Sequence, residues 1–406
     1  MNGIYGLLGE KLGHSFSPQI HKMIGDYDYR LFEISKNMLE NFLRDKNFDG
    51  VNVTIPYKKD VIKYLDEISD EAKKIGSVNV IVNRNGKLYG DNTDYMGFMY
   101  MVKKSNVAVK NKKCLVLGSG GASNAIKVAL SKMGAGEIVT ISRSGENNYN
   151  NIEKHLDAKI IVNTTPVGMY PNNYDSPLSI EKFKNLDGVF DIVYNPLITK
   201  LCFDAKQMGI PYANGLSMLV AQAVKTSEIF FNDHKNSLIY NSIEKAIEKD
   251  IQNIVLIGMP SSGKSSVGKA IAKALNKKFV DMDDEIQKKY GMSPAQIILS
   301  KGEKYFRELE KNCAKEIGMK NGLVIATGGG VVTRSENLFS LMQNGVIVFL
   351  DRDLNKLTSE NRPLSAQKGI EKLYKERIEF YNAFAQITVD GNGTIETVTD
   401  NIIENL

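Results

Sequence analysis

Apolar residues in this chain gather in short unbroken runs that end at glycine, and a stretch with helical spacing follows. Cys114-Leu115-Val116-Leu117 runs into Gly118-Ser119-Gly120-Gly121-Ala122-Ser123 and then into the helical stretch Ala125 to Met133. Ile254-Val255-Leu256-Ile257 runs into Gly258 and then into the amphipathic stretch Val267 to Leu275. A short apolar run bounded by glycine reads as a buried strand, and a change to a 3.6-residue period behind it reads as a helix. The chain therefore starts a strand, loop, helix unit twice. Upstream, Val51 to Ile55 and Asn79 to Val82 are β-rich runs preceded by helical stretches, which predicts a separate N-terminal α/β lobe. Between the two glycine units, Ser237 to Asp250 spaces Leu238, Ile239, Ile243, Ala246 and Ile247 as one helix without Gly or Pro, so the boundary falls at a helix end near Asp250.

Length and composition sharpen this. At 406 residues the chain exceeds one ordinary core and suits two to three domains. Its 42% hydrophobic and 24% charged residues exclude disorder, and no apolar run approaches the length of a spanning helix. The N-terminal ten residues lack a basic start and an unbroken apolar stretch, so a cytoplasmic protein is expected. Cys114, Cys202 and Cys313 are too few and too scattered for a disulfide framework or a zinc site, and they read as packing residues. His14 and His21 have no acidic neighbours at ligand spacing. A net charge of +5, with the lysines from Lys103 to Lys113 free of interleaved aromatics, argues against nucleic acid and suits small anionic ligands.

Gly258-Met259-Pro260-Ser261-Ser262-Gly263-Lys264-Ser265 has the pattern of a phosphate loop in the strand-to-helix setting that such a loop requires. Gly258 and Gly263 let the loop through Pro260 curl so that backbone N–H groups of Ser261, Ser262 and the following residues, Ser266 included, meet phosphate oxygens. Lys264 reaches the β and γ phosphates, and Ser265 is placed to ligate magnesium. ATP is the expected nucleotide. In the other unit, Gly118, Ser119, Gly120, Gly121 and Ala122 form a candidate dinucleotide loop with Ser123 at the third glycine position. The next strand, Glu137 to Ile141, ends at Ser142-Arg143, where an acid would favour NAD; Arg143 favours the 2′-phosphate of NADP(H). A plain glycine-rich turn stays open for this loop.

Beyond the phosphate loop, four motifs stand in order: Phe279-Val280-Asp281-Met282-Asp283-Asp284-Glu285, Gly302 to Glu310 around Arg307, Ala326-Thr327-Gly328-Gly329-Gly330, and Arg362-Pro363-Leu364. From about Ile251 to the C-terminus the chain resembles shikimate kinase. The resemblance implies that Asp281 supports magnesium together with Ser265, and that Asp283 binds and deprotonates the acceptor hydroxyl. It implies that Arg307 and Arg377 clamp a carboxylate, that Gly329 and Gly330 admit the ring, and that Arg362 on a lid neutralises charge on the transferring phosphoryl group. The segment from Asp351 to Asn361 offers Arg352 and Lys356 where the family places an arginine against adenine. Read singly, Asp281, Asp283 and Asp284 also suit a helix N-cap cluster, and Arg307 suits a helix-surface ion pair with Glu303 or Glu310.

In the first half, Gly13-His14-Ser15-Phe16-Ser17-Pro18, Asn52 to Lys58, Val78-Asn79, Gly90-Asp91-Asn92-Thr93-Asp94 and Asn214 to Gln222 resemble shikimate dehydrogenase over about Met1 to Asp250. The resemblance implies an acid–base pair of Lys58 and Asp94. It places Ser15 and Ser17 on the substrate carboxylate with Tyr194 nearby, sets Thr54, Asn79 and Gln222 on ring oxygens, and brings Gly215 and Met218 to the nicotinamide. Without it, Lys58 beside Lys59 reads as a solvated lysine and Asp94 as a helix cap.

The expected architecture is α/β throughout. Residues 1–250 would comprise a substrate lobe (1–100 and 225–250) and a Rossmann-like NADP domain (101–224). Residues 251–406 would form a phosphate-loop domain of the nucleoside monophosphate kinase type with a parallel sheet. The expected chemistry is reduction of 3-dehydroshikimate to shikimate followed by its phosphorylation, with NADP(H), ATP and Mg2+ and small molecules as the only partners, in a monomer or homodimer. A quinate-type dehydrogenase joined to another kinase, or a silent binder of both nucleotides, are the alternatives.

Overall fold

The structure, a computed structural model, describes residues 3–13, 15–235, 237–358 and 369–406. It divides into two compact units, Met1–Ile247 and Glu248–Leu406.

The first unit contains two sheets. The N-terminal one is built from β1 (Tyr5–Gly9), α1 (Ser17–Ile24), β2 (Tyr29–Glu33), α2 (Leu39–Asp45), β3 (Gly50–Val53), β4 (Glu67–Ile68), α3 (Asp70–Ile75), β5 (Val80–Arg84) and β6 (Lys87–Asp91). Its strands lie in the order β2-β1-β3-β5-β6-β4. β1 runs parallel to β2 and β3, whereas β5 pairs antiparallel with both β3 and β6. β3 stops at Val53, two residues short of the apolar run, because Thr54 N–H turns back to the Leu8 carbonyl and Tyr57 N–H closes a turn on Thr54.

α4 (Asp94–Ser105) leads into the second sheet, made of β7 (Lys113–Leu117), α5 (Gly121–Lys132), β8 (Glu137–Ile141), β9 (Ile160–Asn163), β10 (Gly188–Asp191), α6 (Lys200–Gln207) and β11 (Tyr212–Ala213). All its pairs are parallel, in the order β11-β10-β9-β7-β8. The strands are apolar in unbroken runs because helices cover both faces. The chain leaves β7 toward β8 and then returns past it to β9, so the crevice at the carboxyl ends of β7 and β9 is a topological switch point. α7 (Leu216–Phe231) and α8 (Leu238–Ile251) follow.

The second unit repeats the principle with β12 (Asn253–Ile257), α9 (Lys264–Ala274), β13 (Lys278–Asp281), α10 (Met282–Tyr290), α11 (Pro294–Lys301), α12 (Glu303–Gly318), β14 (Leu323–Ala326), α13 (Glu336–Met342), β15 (Gly345–Asp351), α14 (Ile370–Phe384), β16 (Ile387–Asp390) and α15 (Ile395–Glu404). Its parallel sheet has the order β13-β14-β12-β15-β16, which puts the switch point between β12 and β14. Both glycine loops feed helices that begin earlier than the apolar spacing indicates, at Gly121 and Lys264, because the first turns are built from small and polar residues. Among the described residues no helix is long and apolar enough to cross a membrane.

Candidate active sites

In the first unit, a pair of residues 36 apart in sequence meets at the C-terminal end of β3. Tyr57 is fully buried and donates its hydroxyl to the Ile34 carbonyl at 2.5 Å, and this anchor leaves the next side chain, Lys58, turned toward α4. Lys58 Nζ donates to Asp94 Oδ2 at 2.6 Å, with side-chain exposures of 20% and 9%. Lys58 is therefore not a solvated lysine. Asp94 is the first residue of α4 rather than its cap, since Thr93 occupies that position without a capping side-chain bond. An anionic side chain in the first turn gains from the helix dipole. Its other oxygen, Oδ1, accepts from Asn79 Nδ2 at 2.9 Å. Asn79 is buried, and its second amide hydrogen goes to Thr93 Oγ1 at 3.1 Å.

α4 packs along α7 at Gly97, where an added Cβ would lie 2.6 Å from the Met218 carbonyl and 3.2 Å from Gln222 Cβ. That close approach brings buried Met218 and the Gln222 side chain to the helix that carries Asp94, one turn away. Gln222 Nε2 donates to the Leu219 carbonyl. Gly215 is the residue before α7. Ser15 Oγ accepts from the Ser17 amide at 3.2 Å, and the Phe16 ring between them packs 5.7 Å from Tyr194. Burial raises the Tyr194 phenol above its ordinary pKa. Ser15, Ser17 and Tyr194 thus share one neighbourhood.

The loop Gly118 to Gly120 leaves β7 beside Ile141, in register with β8, so Gly118 and Ser142 are neighbours. It faces Thr164 and Thr165 beyond β9, which places it in the crevice at the switch point. Gly121 and Ala122 open α5, whose free N–H groups suit a pyrophosphate. Arg143 is exposed, and its charge eases the burial-raised pKa of Tyr149. Asn147 closes this loop through its carbonyl, which accepts from Ser142 N at 3.1 Å, and its Oδ1 meets His155 Nε2 at 2.9 Å.

In the second unit the phosphate loop bends through left-handed backbone at Ser261 (φ 66°) and Gly263 (φ 98°) before α9. Lys264 is buried and donates to the Gly258 and Met259 carbonyls at 2.9 and 2.7 Å. Ser265 Oγ donates to Asp281 Oδ2 at 2.6 Å, and Asp281 Oδ1 accepts from Asp283 N at 3.0 Å. Asp281 is therefore the N-cap of α10, and its other oxygen is the partner of Ser265. Ser266 continues the first turn of α9, and Pro260 abuts Gly329.

The triple glycine after β14 admits the charged groups. At Gly328 a Cβ would stand 2.7 Å from Glu310 Oε1 and 3.2 Å from Asp283 Oδ1, and at Gly330 it would stand 2.0 Å from the Arg307 guanidinium. Arg377 Nη1 and Tyr381 Oη donate to the Gly329 carbonyl at 3.1 and 2.5 Å. Arg307 does pair with Glu303 (3.0 Å) and Glu310 (2.7 Å), but it is buried rather than on a helix surface. Desolvation raises the pKa of the fully buried Glu310 despite that pairing. Arg362, with Pro363 and Leu364, lies outside the described residues, as does His14. Arg352, directly after β15, brings Nη1 to 3.4 Å from where a Cβ on Gly263 would stand, and its buried Nε has no hydrogen-bond partner among the described residues.

Sequence reasoning gave no role to Asn52, Thr93 and Thr226, polar residues buried under the Lys58–Asp94 pair. Their signal was weak: an asparagine inside an apolar run and a threonine on a helix face that is otherwise core.

Comparison with known proteins then gives both units relatives. The family model for the shikimate dehydrogenase substrate binding domain matches residues 7–81, and that for shikimate kinase matches residues 260–406. A shikimate dehydrogenase (NADP(+)) of Clostridium beijerinckii is 40% identical over 245 residues, which is 56% of this chain and 91% of that protein. The crystal structure of shikimate dehydrogenase 1 from Peptoclostridium difficile is 40% identical, with TM-score 0.57 over 61% of this chain and 98% of that one. A chorismate mutase/shikimate 5-dehydrogenase fusion protein from Clostridium acetobutylicum is 38% identical, with TM-score 0.59 over 61% and 98%.

Proposed function

We propose a two-step function from one premise: the chain belongs to the shikimate dehydrogenase family and carries a shikimate kinase domain at its C-terminal end. It reduces 3-dehydroshikimate to shikimate with NADPH and then phosphorylates the 3-hydroxyl with ATP. The observation that carries the first step is the 2.6 Å contact of Lys58 with Asp94.

Reduced nicotinamide supplies the hydride. As the ring ketone gains it, the carbonyl electron pair collects on oxygen, and the Lys58 ammonium gives that oxygen a proton. Asp94 holds Lys58 aimed at that oxygen, and accepts the neighbouring substrate hydroxyl. Ser15, Ser17 and Tyr194 hold the carboxylate, while Thr54, Asn79 and Gln222 surround the ring.

For the second step, Asp283 accepts the proton of the attacking hydroxyl. Arg307 on α12 and Arg377 on α14, both packed against the Gly328 to Gly330 loop, bind the shikimate carboxylate through planar forks. Lys264 turns from its own loop to the β and γ phosphates. Magnesium fits Ser265 and Asp281: a hydroxyl and one carboxylate are enough for an ion that keeps waters and phosphate oxygens as its other ligands. Among the described residues no group of three acids, histidines or cysteines competes for it. Small molecules are then the protein's partners.

The test supplies 3-dehydroshikimate, NADPH and MgATP and follows NADPH oxidation and ADP release together. Rates no higher than those of a Lys58→Ala, Lys264→Ala double variant overturn the reading. Chelation of magnesium should abolish ADP release and leave NADPH oxidation intact.

A further inference from the structure

The Lys58–Asp94 pair rests on a buried polar chain that reaches into α7. Tyr29 Oη donates to Asn52 Oδ1 at 2.8 Å, and Asn52 Nδ2 donates to Thr226 Oγ1 at 3.0 Å. Thr226 Oγ1 meets Thr93 Oγ1 at 3.2 Å. Thr93 N–H donates to Asn79 Oδ1 at 2.7 Å, which sets the amide so that Nδ2 points at Asp94. Thr226 and Thr93 are fully buried, and Asn52 and Asn79 nearly so. These four side chains are closed off from bulk solvent, so each depends on the others for its hydrogen bonds.

Thr226 is the junction. It lies 174 residues from Asn52 and 133 from Thr93, and its single hydroxyl ties β3 and the start of α4 to α7. Since Thr226 accepts from Asn52, its own hydrogen is available for Thr93, whose hydroxyl hydrogen then faces Asn79 Oδ1 at 3.5 Å. The side-chain donors of Tyr29, Asn52, Thr226 and Thr93 run toward Asn79, whose amide divides its hydrogens between the carboxylate that holds Lys58 and Thr93 Oγ1.

We propose that Thr226 is a positioning residue for the dehydrogenase step, fixing through Thr93 and Asn79 the direction in which Asp94 presents Lys58. This rests on the reading of Lys58 and Asp94 given above. Removing the hydroxyl while keeping the shape takes from Asn52 Nδ2 and Thr93 Oγ1 their shared partner in α7, so Thr93, and with it the Asn79 amide that its N–H orients, is held less firmly against Asp94. The cost falls chiefly on proton delivery, because Asn79 and Asp94 keep their places beside the ring and lose only the fixed direction of the contact between them.

The test compares Thr226→Val and Thr226→Ser in the full chain. Thr226→Val should lower the kcat for NADPH oxidation about tenfold, the scale of one misdirected hydrogen bond to a charged group. KM for 3-dehydroshikimate, the dissociation constant for NADP+ and the kinase rate should stay within about twofold. Thr226→Ser, which restores the hydroxyl and loses only a methyl group, should recover most of the kcat. A Thr226→Val enzyme with unchanged kcat overturns the proposal, as does equal loss in both variants or a rise in KM that accounts for the loss. Lys58→Ala is the separate control: if it retains wild-type kcat, the acid–base reading itself is wrong, whatever Thr226 does.

Discussion

Lys58 and Arg307 are both held by carboxylates, yet burial separates what their loss does. Lys58→Ala should lower the dehydrogenase kcat by about 10²- to 10⁴-fold, the range of general acid catalysis, with ADP release unchanged in a kinase assay that supplies shikimate. Arg307 is buried with Glu310 fully enclosed beside it, so Glu310→Ala leaves a buried guanidinium short of its partner. That change should destabilise the second unit by about 3–5 kcal/mol in urea unfolding. Two buried groups in the first unit contribute opposite slopes to its acid response. Burial holds the His21 imidazole down to about 3, so stability falls as pH drops below its unfolded pKa near 6.5. Burial raises Asp191 to about 6, so its contribution runs the other way and is lost as pH rises from about 4 to 6. The two slopes oppose, each about 1.4 kcal/mol per pH unit. Asp191→Asn should therefore steepen the loss of stability on acidification between pH 6 and 4. An unchanged slope would show that Asp191 does not titrate there. The Thr226 junction belongs to this scale too. It was not legible because a buried threonine has meaning only through partners more than a hundred residues away.

Elements carry the next level of control. α4 and α7 approach so closely at Gly97 that Gly97→Ala must displace the Met218 backbone. The dehydrogenase should lose activity and about 1–3 kcal/mol of stability, with the kinase unaffected. Strands β7 and β12 were legible because apolar runs ending at glycine have few other solutions in an α/β chain. The helices behind the glycine loops were placed too late, since a first turn of glycine and serine carries no apolar spacing. The antiparallel insertion of β5 was not legible either. Pairing direction depends on connections between strands, and alternation along one strand does not record it. Site positions were legible where a motif compresses them into a few residues, as in Gly258 to Ser265. Arg352 was less so: its place beside Gly263 follows from β15 lying next to β12. Arg352→Ala should raise the KM for ATP several-fold and leave that for shikimate in place.

At the scale of the whole molecule, two cores serve two chemistries, each with its own parallel sheet and its own glycine loop at a switch point. NADP+ should raise the unfolding temperature of one calorimetric transition and ATP that of the other, since a ligand stabilises only the cooperative unit that binds it. A single transition shifted by both would show that the units unfold together. Asp94, which aims the proton donor Lys58, and Asp283, the proposed proton acceptor, each stand in the first turn of a helix, α4 and α10. Their partners arrive from elsewhere along the chain: Lys58 from 36 residues before, the glycines at Gly328 from the far side of α12. In evolutionary terms, this makes the carboxylate the conservative half of each site. A lineage can lengthen or shorten the surface loops between partners and drift in sequence along the exposed helix faces. It can shift the helix start by even one residue only by rebuilding the site around a new direction.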